Sequence, residues 1–152
     1  MRELSVGEAD EIYEVRAGLD QLIGRLAAAR VGPAELEQLR ALVKEMGRVA
    51  RSRNVDAYYP LNVKFHDLLA QFTGNGFLLA TYRRLVNELH LHRRETLAHG
   101  PDSFPISTRE HAEIVDALAR GDGDTAARLL YEHVRESQDR LHHTMDRPRK
   151  QA

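Results

Sequence analysis

Apolar residues recur every three to four positions along almost the whole chain, and no segment sustains the one-in-two alternation of a half-buried strand. The pattern predicts helices throughout. Ser5 and Glu8 stand at capping-box spacing, and Ile12, Val15, Leu19, Leu22, Ile23 and Leu26 follow as the apolar stripe of a first helix. Gly32-Pro33 stops that helix and opens a second, which carries Leu36, Leu39, Leu42, Val43, Met46 and Val49. Asn54 to Asp56 offer caps for a third helix, where Pro60 is tolerable in the first turn or at a kink. Gly74-Asn75-Gly76 ends the third helix, and a fourth runs from about Phe77 to Ala98 with Leu78, Tyr82, Leu85 and Leu89 facing inward.

His99-Gly100-Pro101-Asp102-Ser103 reads as loop. Ser107 and Glu110 repeat the capping-box spacing and open a fifth helix through Ile114, Val115 and Leu118 to Gly121. Asp122 or Asp124 caps a sixth, running through Leu129, Leu130, Val134 and Leu141. The expected architecture is all-α, a single helical bundle over residues 1–145, with residues 146–152 as a frayed tail. No internal repeat or linker divides the chain.

Composition narrows the function classes. A chain of 152 residues, 42% hydrophobic and 30% charged, is long enough to bury a core without staples. Its net charge of −1, from 22 Lys+Arg against 23 Asp+Glu, lacks the basic excess that phosphate neutralisation demands. Direct DNA binding is therefore the least expected activity, and the one basic cluster, Arg147-Pro148-Arg149-Lys150, reads as a solvated tail. With no cysteine, any metal must be held by histidine, carboxylate or amide oxygen. No apolar run could span a bilayer and the N-terminus has no signal-peptide core, so a cytoplasmic location is expected.

Eight histidines make placement informative. His66 lies beside the Leu61, Phe65, Leu68 and Phe72 row; His111 precedes Ile114, Val115 and Leu118; His133 follows Ala126, Leu129 and Leu130. At these offsets all three share the inward face of their helices. A single inward imidazole is ordinarily a core histidine satisfied by one hydrogen bond. Three on three helices admit a second reading, a shared divalent-metal site with neutral imidazole ligands. Asn62, one turn before His66, can present an amide oxygen to the same ion. Of the others, His90 is a possible further ligand or supporting residue, His92 is expected on the solvent side, His99 in the loop, and His142 and His143 on the surface near the chain end. Arg16 stands one step off the first stripe, either snorkelling at the surface or turned inward to meet an anionic ligand bidentately.

These segments together resemble the FCD domain, the C-terminal effector-binding half of FadR-type GntR transcription regulators. The resemblance rests on Tyr13 to Asp20 as an opening helix and on Asn62-Val63-Lys64-Phe65-His66, similar to a D-x-x-F-H signature. Thr73-Gly74-Asn75-Gly76-Phe77-Leu78, then Glu110-His111 with Ile114, Ala117 and Gly121-Asp122, and finally His133 follow in the family's order. The resemblance implies an antiparallel bundle of about six or seven helices enclosing a divalent metal. Zinc is the first expectation, with nickel or manganese as alternatives, and the ligands would be Asn62, His66, His111 and His133. Asn62 departs from the family pattern by replacing a carboxylate, which removes one negative charge from the ligand set. The resemblance further implies a homodimer that senses a small carboxylate such as a hydroxy or sugar acid, with Arg16 as a second anchor. DNA would be contacted only through a separate winged helix-turn-helix domain, absent from this chain.

Two rival classes stand beside effector sensing. A metal-dependent hydrolase is possible in principle because an ion with an open position acidifies water. However, no His-Glu-x-x-His occurs, and no histidine has glutamate three residues before it. Glu110 and Glu132 adjoin the inward histidines, but neighbouring helical positions point about 100° apart. The expectation is a non-enzyme. A purely structural dimerisation module is the other alternative, with the fourth helix as its candidate face.

Overall fold

A computed structural model describes residues 4–99 and 103–145. Six α-helices order these residues: α1 (Val6–Arg30), α2 (Pro33–Ala50), α3 (Val55–Phe72), α4 (Gly76–His99), α5 (Phe104–Ala119) and α6 (Gly123–Met145). No strand occurs among them. The all-α bundle expected from the periodicity is what forms. The expected tail lies outside the described residues, as do Gly100 to Asp102 of the expected loop.

Local chemistry sets the helix ends. At α1 the Ser5 hydroxyl accepts from the Glu8 N–H while the Glu8 carboxylate accepts from the Ser5 N–H, closing the capping box. Asn54 accepts from the Asp56 N–H, Asn75 from the Leu78 N–H, and Asp122 from the Thr125 N–H. Thus Asp122 caps α6, while Asp124 sits exposed in its first turn, paired with Arg25. Gly74 takes φ of +66°, the left-handed conformation that lets the chain leave α3 and turn into α4.

The first-turn reading of Pro60 and the expected start of the fifth helix are corrected. Pro60 lies in the second turn of α3, not the first, within a helix that continues through it. The fifth helix begins at Phe104, one turn before the Ser107–Glu110 pair. Pro105 occupies a first-turn position and the Phe104 ring stacks on Tyr58 at a centroid distance of 4.3 Å, which fixes the start there. Ser107 is consequently an interior helical residue, 3% exposed.

The buried face of α1 is also rotated from the expected stripe. Ala9, Tyr13, Arg16, Ala17, Asp20, Ile23 and Ala27 face inward, while Val15 and Leu22 are 55% and 43% exposed. The cause is the approach of α6, against which α1 packs most extensively. A Cβ on Gly24 would lie 2.8 Å from the Ala126 carbonyl carbon and the Ala127 nitrogen, so no side chain fits at that point of contact. Small and polar residues therefore fill a surface that hydrophobicity alone would assign to solvent.

The interior has two apolar parts. The larger holds Leu39, Met46, Phe65, Leu69, Phe104 and Ile114 from α2, α3 and α5. The smaller joins Ala9, Tyr13 and Ala17 of α1 to Leu89 of α4 and Val134 and Leu141 of α6. Buried polar residues collect around them: Arg16, Asp20, Asn62, His66, Arg93, Ser107, His111 and His133.

Candidate metal centre

Helices α3, α5 and α6 each deliver one imidazole to a common point. His66, His111 and His133 are 1%, 0% and 3% exposed. Each offers a ring nitrogen within 4.8 Å of the others. The His66 and His111 Nε2 atoms are 3.1 Å apart, a separation that two nitrogens each about 2.1 Å from one ion can span. The rings of His66 and His133 stack at 5.1 Å, and those of His111 and His133 lie 4.7 Å apart.

Burial decides their protonation. Desolvation, reinforced by Arg140, Arg16 and Arg93, pushes His133 down to about 3. His66 and His111 are held well below the ordinary histidine range, first by burial, then by the neighbouring histidines of the cluster and by the arginines around it. All three are neutral at physiological pH, the form in which imidazole ligates a metal. The Nδ1 of His133 is 3.1 Å from a Glu110 carboxylate oxygen, an arrangement that fixes the ring and leaves Nε2 as its donor nitrogen.

Asn62 lies one turn before His66, 7% exposed, with its Oδ1 buried and without a hydrogen-bond partner. A buried amide oxygen left unsatisfied costs about 1–3 kcal/mol, and a cation or a ligand hydroxyl would satisfy it. Three neutral imidazoles and one unpartnered oxygen form a donor set suited to a borderline divalent ion such as zinc.

The centre adjoins a cavity. Arg16, Asn62, His66, Arg93, His133 and Arg140 line it. Arg16 is 2% exposed and its Nε lies 3.3 Å from the Asp20 carboxylate. Burial raises the Asp20 carboxyl while Arg16 and Arg93 oppose that rise. Of the two readings open for Arg16, the inward one is the arrangement found.

The remaining histidines stand elsewhere. His90 is exposed and its Nδ1 is bonded to the Tyr59 hydroxyl at 2.9 Å, away from the cluster. His92, expected at the surface, is 5% exposed, because α4 turns that side toward the bundle together with Arg93. His142 pairs with Asp10 at 2.7 Å and His143 is exposed. The side chain of His99 lies outside the described residues. Glu110, Arg93, Arg140 and Ser107 were not singled out as site residues from the sequence. Arg140 stands seven positions after His133, two turns along one face of α6, a spacing that could have drawn attention to it.

A family model for the FCD domain matches residues 11–136. The chain belongs to the FCD domain family. Among curated relatives of this FCD domain is the HTH-type transcriptional regulator YdhC of Bacillus subtilis, 26% identical over 153 residues. That match takes in 94% of this chain and 64% of YdhC. The galactonate operon transcriptional repressor of Escherichia coli is 25% identical over 134 residues, 84% of this chain and 55% of the repressor. The chain thus spans roughly half to two-thirds of these relatives. Among solved structures, E. coli McbR/YncC superposes with a TM-score of 0.84 at 16% identity, covering 94% of this chain and 72% of that one. The metal-free FCD domain of TM0439 gives 0.76 at 19% identity, covering 95% and 98%. At these identities the structural matches establish the fold.

Proposed function

We propose that this FCD domain is the effector-sensing part of a GntR-type transcriptional regulator. It binds a divalent metal through His66, His111 and His133, with Asn62 contributing its amide oxygen, and a small carboxylate in the adjoining cavity. The observation that carries this reading is the convergence of three buried imidazoles, two of which, His66 and His133, line a cavity that the buried Arg16 also lines. Zinc is the first candidate for the ion, with nickel or manganese next. The metal supplies a Lewis-acidic anchor for a carboxylate oxygen, and Arg16 presents a planar pair of donors from the opposite helix.

In this reading the domain acts as a cytoplasmic homodimer, and DNA is contacted by a separate domain of the full regulator. The relatives named as transcriptional regulators and repressors support it. Occupation of the site biases the relative packing of α1, α3, α5 and α6, the helices from which its groups come. The hydrolase alternative gains nothing from the cavity: no carboxylate is among its described lining residues to serve as general base.

Titration of zinc into the chelated domain tests the core of the proposal by calorimetry. The expected result is one ion per chain, with affinity lost at least about a hundredfold in His111→Ala and His133→Ala. Unchanged binding in both variants would remove the three-histidine site.

A further inference from the structure

Adjacent residues on a helix point about 100° apart, so Glu110 and His111 leave α5 in different directions. His111 enters the interior and is 0% exposed. Glu110 reaches sideways to α6, where its carboxylate oxygen lies 3.1 Å from the Nδ1 of His133. The two side chains are 21% and 4% exposed, so the contact sits at the edge of the core with little competition from water. Glu136 and Arg140 of α6 adjoin the same carboxylate. His133 lines the cavity and Glu110 is not among the described lining residues. The carboxylate thus meets the ring at Nδ1 and leaves Nε2 clear.

A neutral imidazole carries one proton, on one nitrogen or the other, and ligates only through the bare one. A carboxylate at Nδ1 draws the proton there and frees the Nε2 lone pair. The other two rings have no such guide. The Nδ1 atoms of His66 and His111 are buried without hydrogen-bond partners, and their Nε2 atoms face each other at 3.1 Å. A hydrogen bond at that separation needs a proton on one of the two Nε2 atoms, so one of these rings is held in the form that cannot ligate through Nε2. Of the three histidines, His133 is the one set in ligating form by a neighbouring side chain.

We propose that Glu110 is a positioning residue for the metal centre: its carboxylate accepts from the Nδ1–H of His133 and keeps Nε2 of that ring free for the ion. This inference rests on the metal-binding reading above and adds a residue outside its ligand set. Glu110 acts through His133 alone. Holding the ring in one tautomer and one orientation in advance removes an ordering cost from metal binding.

Long-range proton–nitrogen NMR of the histidine rings reads the tautomers, and calorimetry reads zinc affinity. In the metal-free chain His133 is expected as the Nδ1–H tautomer, and Glu110→Ala should leave it a mixture of the two. The same substitution should weaken zinc binding about ten- to a hundredfold, the scale on which orienting groups act. In a His133→Ala background, Glu110→Ala should change the affinity by less than about twofold, because the residue through which it acts is gone. An equal loss in both backgrounds would overturn the assignment, as would an Nε2–H tautomer of His133 in the unsubstituted chain. Zinc affinity indifferent to Glu110→Ala would overturn it too, while leaving the three-histidine site standing. An unsubstituted chain that binds no zinc would remove the site itself, and this inference with it. If Glu110→Ala does not fold, the tautomer of the unsubstituted chain decides: Nδ1–H upholds the assignment and Nε2–H overturns it.

Discussion

The region built by α2, α3 and α5 around Leu39, Met46 and Phe104 differs sharply from the region around Arg16, Arg93 and the three histidines. Both are buried. In the first, apolar side chains leave water and gain contacts, so burial itself stabilises the fold. In the second, burial strands polar atoms: Asn62 Oδ1, His66 Nδ1, His111 Nδ1 and Arg93 Nη2 are all enclosed without hydrogen bonds. Such groups reduce stability unless something binds them. The comparison therefore separates a part of the protein that holds the bundle together from a part that encloses polar atoms without partners.

The strongest way to probe this difference is to truncate the apolar region. Leu39→Ala should lower unfolding free energy by up to about 5 kcal/mol in urea titrations and leave metal stoichiometry at one. A loss of metal binding along with stability would show that the two regions are not separable.

Acidification probes the polar region. The three histidines have folded values far below the 6.5 of an unfolded histidine, so below about pH 6.5 the unfolded chain binds more protons than the folded one. Stability contributed by their neutral burial is complete above that pH and falls as the pH drops, until the folded values are reached. Between pH 7.5 and 5.5 the metal-free domain should lose stability in urea titrations, on the order of 1 kcal/mol for each histidine that stays neutral when folded. The Leu39→Ala variant should show the same slope if the regions are independent.

The smallest effect has the opposite sign. His111→Leu replaces an enclosed imidazole with an apolar group of similar size. It should raise the stability of the metal-free domain by about 1 kcal/mol and abolish metal-induced stabilisation. Thermal scans with and without zinc would check both parts. A destabilised metal-free variant would mean that the imidazole is better satisfied than its surroundings indicate.

The two regions also differed in how well the sequence disclosed them. Six helices and the inward direction of His66, His111 and His133 were legible because each histidine stands in phase with large apolar neighbours. The inner face of α1 was not, because close contact with α6 selects alanine and glycine there and fills the rest with Tyr13, Arg16 and Asp20. Hydrophobic periodicity points to the wrong side of such a helix. Ser107 was hidden by its own capping-box spacing with Glu110, a local pattern overridden by Pro105 and the Tyr58–Phe104 stack. His92 and Arg93 were hidden by their charge, since a polar pair within a helix ordinarily faces solvent. Polar residues that are buried to meet a ligand carry no signal that separates them from surface residues. Only their companions in space do, and those come from other helices.

The close approach of Gly24 to Ala126 and Ala127 has a mechanical consequence. Arg16 lies two turns before Gly24 on α1, and His133 lies two turns after Ala126 on α6, while Gln138 of α6 reaches back to Asp10 near the start of α1. The helices run in opposite directions, so both cavity groups stand at about the same height above the contact. With no slack at the glycine, the pair behaves as tongs pinned at one point with arms of equal length. The width between Arg16 and His133 and the splay of the helices beyond the pin are then a single coordinate, and a ligand that sets one sets the other.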